Sequence, residues 1–104
     1  MIPEKTIKEL INKHSILEKD LSSSSIDKKI FAEKSKEYSD LNEIVEDAKR
    51  YLAYEKDKLE LEKILEDQSI DQEFVNMAQT ELTNLKIQYE KNEKKLKLFL
   101  LPKD

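Results

Sequence analysis

His14 is the only histidine in this chain of 104 residues, and there is no cysteine and no glycine. Those three counts restrict what the sequence can catalyse. Without cysteine there is no thiolate nucleophile, no disulfide and no zinc–thiolate site, so a reducing compartment is allowed. Without glycine neither an oxyanion turn nor a phosphate-cradling loop can be formed in the usual way. Carboxylate-rich helices hold metals in bundles through inward-facing Glu-x-x-His pairs, and none occurs here. His14 itself sits on an apolar stripe with Ile7, Leu10, Ile11, Leu17 and Leu21, where a packed or half-buried structural role is the better reading. Tyr38, Tyr51, Tyr54 and Tyr89 also fall on apolar stripes, and read as core before they read as a platform for stacked bases. Lys91, Lys94, Lys95, Lys97 and Lys103 form a local basic patch. Solvated charge is its default reading and weak RNA contact the alternative. No catalytic residue, cofactor or metal is assigned.

Composition points the same way. Charged residues make up 40% and hydrophobic residues 38%, and Pro3 and Pro102 are the only prolines. Tight hairpins rely on glycine, so an all-helical chain is expected. The formal charge is −4, but acidic and basic residues are interspersed, unlike a nucleic-acid footprint. Residues 1–5 lack the basic and apolar blocks of a signal peptide and the Arg-rich character of a transit peptide. No apolar run approaches the roughly 20 residues that span a bilayer. A soluble, cytoplasmic domain without membrane contact is expected.

The elements that would position these residues follow from periodicity. Pro3 and Glu4 suit a first helical turn, and a helix is expected over about residues 4–20, with a Glu9–Lys13 pair on its surface. Ser22 to Ser25 breaks it; Ser24 or Ser25 would cap the next helix, and phosphorylation of the run is the minor alternative. From Ile26 to Asp67 there is no proline, and Tyr38, Leu41, Val45, Ala48 and Leu52 recur in steps of three and four. That spacing predicts one long central helix over residues 26–67, a rod on the order of 60 Å. It carries a second apolar set, Ile30, Ile44, Tyr51, Tyr54, Leu61, Ile64 and Leu65, which implies two packing partners near the middle. Glu46 and Arg50 are expected to pair outside.

A short connection at Gln68 to Gln72 reverses the chain. Either Ser69 with Gln72 forms a capping box, or Asp71 is the cap with Ile70 and Val75 as a hydrophobic staple. A third helix is expected over about residues 71–100, with Val75, Ala78, Leu82, Leu85, Tyr89, Asn92, Leu96 and Phe99 on one stripe. Glu90–Lys94 and Glu93–Lys97 support its outer face. Leu96 to Leu101 is apolar almost all round and should be buried by more than one neighbour.

Antiparallel alignment pairs Tyr38 with Phe99, Leu41 with Leu96, Val45 with Asn92, Ala48 with Tyr89 and Leu52 with Leu85. The expected fold is an antiparallel three-helix bundle with a long central helix, from which a two-helix coiled-coil-like hairpin projects. Its core is expected to contain Leu10, Leu17, Phe31, Tyr38, Leu41, Val45, Leu52, Leu82, Leu85, Tyr89, Leu96 and Phe99. Asn92 is either a polar layer fixing register or an exposed side chain.

Three segments carry a resemblance: residues 36–45 (KEYSDLNEIV), residues 77–82 (MAQTEL) and residues 96–104 (LKLFLLPKD). They resemble the N-terminal helical domain of the bacterial class I peptide chain release factors, of the release factor 1 type, and the similarity runs in order through essentially the whole chain. The resemblance implies a full-length protein that recognises UAA and UAG and triggers peptidyl-tRNA hydrolysis on the ribosome. The family decodes with a Pro-x-Thr type motif and hydrolyses with Gly-Gly-Gln; neither is in this sequence, so no catalytic residue carries over. The resemblance further implies a binding and positioning domain near the stalk base of the large subunit, with influence on the GTPase release factor. The isolated domain is expected to be a monomer or weak dimer. Two other readings stand beside it: a generic coiled-coil adaptor that dimerises through an exposed stripe, and a tRNA-gripping helical arm. The arm needs a basic hairpin, whereas Glu60, Glu62, Glu66, Asp67, Asp71 and Glu73 make this tip acidic.

Overall fold

The computed structural model describes residues 1–23 and 26–102, so the expected Ser24 or Ser25 cap lies outside the described residues. Among the described residues it contains four α-helices and no strand: α1 (Glu4–Leu21), α2 (Lys28–Asn42), α3 (Val45–Glu66) and α4 (Gln72–Leu100). The all-α expectation holds, but the rod expected over residues 26–67 is divided. Glu43 and Ile44 form a turn in which the Ile44 N–H donates to the Leu41 carbonyl at 3.0 Å, and Ile44 opens to φ −115°. No glycine or proline causes this. Ser39, Asp40 and Asn42 are weak helix formers, which lowers the cost of a break here. Packing then decides: the turn lets Leu41, Ile44, Val45 and Ala48 all become buried.

The break also sets the topology. α1 packs against α2 and α3, α3 runs along α4, and α2 meets α3 near their junction. Among the described residues no Cα atom of α1 or α2 lies within 8 Å of a Cα atom of α4. The core is closed by side chains instead. Ile2, Ile7, Leu10, Leu17, Leu41, Ile44, Ala48, Tyr51 and Leu96 form one buried cluster, with Ile11, Tyr38, Leu52, Tyr89 and Phe99 packed against it. The bundle is therefore made from four helices rather than three.

Of the expected core, Leu10, Leu17, Leu41, Val45, Leu82 and Leu96 are buried; Tyr38, Leu52, Leu85, Tyr89 and Phe99 are half-buried. Phe31 is not core. It is 47% exposed, as is its neighbour Ile30 at 45%, because α2 packs on α1 and touches α3 only near their junction, so no third helix covers its early turns. The apolar C-terminal turns are also less covered than expected: Leu96 is fully buried, but Leu98 and Leu101 are exposed. The absence of an α4 contact with α1 and α2 backbones accounts for this.

The antiparallel register of α3 and α4 differs from expectation by about one helical turn. Tyr89 stacks on Tyr51 and Tyr54 rather than facing Ala48, with ring centroids 4.6 and 3.9 Å apart. Lys95 lies 3.8 Å from Asp47. The restart at Val45 turns Ile44, Ala48 and Tyr51 inward, so the second apolar set carries this seam. Asn92 is 1% exposed and accepts from Gln88 at 3.3 Å, which makes it the polar layer and not a surface residue.

The connection between α3 and α4 is an Asx-type turn. The Asp67 carboxylate accepts from the Ser69 N–H at 2.9 Å and from its hydroxyl at 2.6 Å. Asp71 occupies the N-cap position of α4 by backbone conformation, but its side chain makes no capping hydrogen bond. At the other end Pro3 precedes α1, its carbonyl accepting from Thr6 and Ile7 N–H groups. The molecule measures 61 × 32 × 20 Å, with a radius of gyration of 18.5 Å. A compact domain of this length would have about 13 Å. The excess is the hairpin that α3 and α4 extend beyond the bundle.

Candidate functional site

Two regions concentrate polar chemistry or unpartnered apolar surface: the tyrosine cluster where α3 crosses α4, and the distal half of the hairpin.

Tyr51 and Tyr54 lie one turn apart on α3, so both rings face the same turn of α4, where Tyr89 stacks on them. The Tyr51 hydroxyl donates to Glu93 Oε2 at 2.8 Å and accepts from the Ile2 N–H and the Tyr89 hydroxyl, each at 3.1 Å. One proton and two lone pairs are all used. Burial is the main cause that pushes the Tyr51 phenol well above the ordinary tyrosine range, with the Tyr89 hydrogen bond next. Glu93 is held below the ordinary carboxylate range, chiefly by the Tyr51 hydroxyl, with Lys97 and the Met1 amino group adding to it. Such a phenol is too weakly acidic to transfer its proton near neutrality, and the group acts as a clasp between the N-terminal residues, α3 and α4.

His14 has the packed role expected of it. Its ring stacks on Tyr38 at 4.7 Å and its Nε2 lies 3.0 Å from Asn42 Oδ1, joining α1 to the end of α2. Lys13 pairs with Glu37 across the same interface, in place of Glu9 on its own helix. Lys34 reaches Asp20 at 2.7 Å. In place of the expected Glu46–Arg50 pair, Glu46 meets Lys49 and Asp47 meets Arg50.

The basic patch is partly neutralised. Lys95 faces Asp47, Lys97 pairs with Glu93 at 3.3 Å as the spacing predicts, and Lys103 lies outside the described residues. Lys91 and Lys94 remain exposed. Among the described residues no group of three His, Cys, Asp or Glu side chains could hold a metal ion, and no helix is long and apolar enough to cross a membrane.

The distal hairpin is different in kind. Leu61 and Ile64 from α3 and Phe74, Met77 and Ala78 from α4, with Ile70 at the turn, border an open groove of about 550 Å³. Phe74 is 62% and Met77 57% exposed. Neither has a core role in the sequence pattern, since both lie off the Val75–Ala78–Leu82 stripe. That offset was itself a signal, because large apolar residues beside a complete stripe widen the apolar face of a helix. Asp71 and Glu81 line the groove, and the segment that contains it, residues 57–81, carries eight carboxylates (Asp57, Glu60, Glu62, Glu66, Asp67, Asp71, Glu73, Glu81) against Lys58 and Lys63. None of these charged groups is in an ion pair among the described residues, whereas the bundle end holds all of the pairs found.

Comparison with known proteins sets this geometry in a family. The PCRF domain model matches residues 10–104. The chain is 65% identical over its full length to "Peptide chain release factor 1" of Pelagibacter ubique, covering 29% of that protein. It is 42% identical over 71% of its length to the protein of the same name from Ehrlichia ruminantium (strain Gardel), and 34% identical over 99% to that of Bartonella quintana, covering 21% and 28% of those proteins. The chain thus spans under a third of the length of these relatives. No solved structure matches it.

Proposed function

The chain belongs to the PCRF domain family of peptide chain release factors, and from that premise we propose that it is the leading helical domain of a factor that terminates translation at UAA and UAG. The observation that carries the reading is the family match over residues 10–104, joined to identity along the whole chain with a release factor 1. Its contribution is binding and positioning, on the ribosome at the stalk base of the large subunit and toward the GTPase release factor, in the cytoplasm.

The geometry supports a role without chemistry of its own. The chain has no glycine for a Gly-Gly-Gln motif, and neither proline is followed two residues later by threonine. The hydroxyl of Tyr51, the most strongly shifted titratable group among the described residues, is spent on Glu93. An elongated hairpin fixed by a bundle at one end suits a docking arm. The acidic distal half weighs against a tRNA-gripping arm, because phosphate backbones are bound by basic grooves.

The test is peptide release by the full-length protein on ribosomal termination complexes. Release at UAA and UAG but not at UGA is expected. Absence of stop-codon-dependent release, or a parent sequence that does not continue into Gly-Gly-Gln, would overturn the reading. The 104-residue chain alone is expected to leave peptidyl-tRNA intact in the same assay.

A further inference from the structure

Resting on the reading of this chain as a ribosome-bound docking domain, we infer that the distal α3–α4 groove receives a cationic amphipathic helix of a protein partner. Three observations on the molecule select this occupant. The first is shape. Phe74, Met77 and Ala78 form one ridge at helical spacing, and Leu61 and Ile64 form the facing one, with Ile70 closing the end. Two parallel ridges about an open channel are the surface into which a third helix lays its apolar stripe. An extended strand is not accommodated in the same way, since the backbone groups of α3 and α4 are used within the helices and present no sheet edge.

The second is solvation. Phe74 and Met77, more than half exposed, are large side chains whose burial would be favourable, and nothing among the described residues covers them fully.

The third is charge. Eight carboxylates against two lysines give residues 57–81 a formal charge of −6, while the whole chain carries −4, so the remainder is +2. None of the carboxylates bordering this groove is in an ion pair among the described residues, so the field is uncompensated. A phosphate backbone is repelled by that rim, and a second copy of the chain would bring the same −6 against it. A helix with Lys or Arg flanking an apolar stripe satisfies both floor and rim, and the charge hastens its encounter.

The experiment places p-benzoylphenylalanine at position 74 of the full-length factor and irradiates it on ribosomal termination complexes. Expected is a crosslink within a Lys/Arg-rich amphipathic helix of another protein, mapped by peptide mass. A crosslink to ribosomal RNA, to a second copy, to the factor's own remaining domains, or none at all overturns the inference. A parallel titration of the full-length factor uses a synthetic amphipathic Leu/Lys helix as probe. Phe74→Ser with Met77→Ser should weaken it about tenfold, the loss of one good anchor. Asp71→Asn with Glu81→Lys, which remove the two carboxylates lining the groove, should weaken it too and flatten its salt dependence. All four residues are exposed, so helicity by circular dichroism should not change. Equal affinity in the variants, or for a peptide of the same composition with scrambled order, overturns the inference. Stop-codon-dependent release on the same complexes separates the two readings. Release with a crosslink to RNA rejects only the groove, whereas absent release rejects the assignment as a termination factor.

Discussion

The Tyr51 hydroxyl ties three parts of the chain through one atom, and its removal has calculable consequences. Tyr51→Phe leaves the Ile2 N–H, the Tyr89 hydroxyl and the Glu93 carboxylate each short of a partner. Because these groups are at least partly covered, a loss of about 1–3 kcal/mol in unfolding free energy is expected, read as a lower midpoint in urea. The same substitution should let the Glu93 carboxyl rise toward its ordinary value of 4.5, measurable by NMR titration of its side chain. An unmoved Glu93 would mean that Lys97 and the Met1 amino group, not the hydroxyl, hold it down. The wild-type pH profile follows from the signs of the two shifts. Glu93 binds its proton less readily folded than unfolded, so its contribution is present above 4.5 and is lost as pH falls below that through the folded value. Tyr51 is shifted the other way, so its contribution is present below 10 and is lost as pH rises beyond it. Chemical denaturation from acid to alkaline pH should show stability falling at both ends, with Tyr51→Phe flattening both slopes. Little of this clasp was legible in the sequence. Ile2 has no periodic neighbour to mark it as buried, and a hydrogen bond between residues 51 and 93 depends on a register that spacing left one turn off.

At the scale of elements, the α2–α3 division decides which apolar residues matter. Leu41→Asp and Leu96→Asp each place a charge in the buried cluster, at a cost of several kcal/mol. Loss of cooperative thermal unfolding is expected for both. Phe31→Asp is the contrast. Its side chain is 47% exposed on α2, so a change within about 0.5 kcal/mol is expected. A Phe31→Asp variant as damaged as Leu96→Asp would restore the undivided rod. The undivided rod expected from spacing has a physical origin. The three-and-four spacing from Tyr38 to Leu52 continues through Glu43–Ile44, because a turn without glycine or proline leaves no mark in hydrophobic periodicity. Only Ser39, Asp40 and Asn42 hinted at weakness, and their propensities are small beside the burial that fixes the turn. By contrast α1 and α4 were legible nearly to their ends, since each has one uninterrupted stripe and a defined start at Pro3 or Asp71. Of the two caps that the spacing allows, Asp71 holds the N-cap position without a side-chain bond, and Ser69 does not serve because its hydroxyl is already committed to Asp67.

Over the whole molecule, burial and charge divide along the long axis. At the bundle end four helices share one cluster, and all the ion pairs among the described residues lie there. At the distal end two helices meet through Leu61, Ile64, Leu65, Ala78 and Leu82, of which only Ala78 and Leu82 are buried. Like charges crowd the same segment, so packing is thinnest where repulsion is greatest. Local opening should therefore start at the tip and travel inward, ahead of global unfolding. Native-state hydrogen exchange is expected to show amides of residues 57–81 exchanging faster than those of residues 45–55 and 86–97. Added salt should slow the distal amides more than the proximal ones, because it screens an unpaired acidic surface on one side and largely paired charges on the other. Uniform protection along both helices, unaffected by salt, would mean that the hairpin and bundle open as one unit. The distal segment would then be a rigid extension of the core. If the gradient is found, a helix seated between Phe74 and Leu61 would stabilise the least protected part of the molecule, and binding at the groove would be read directly as slowed exchange there.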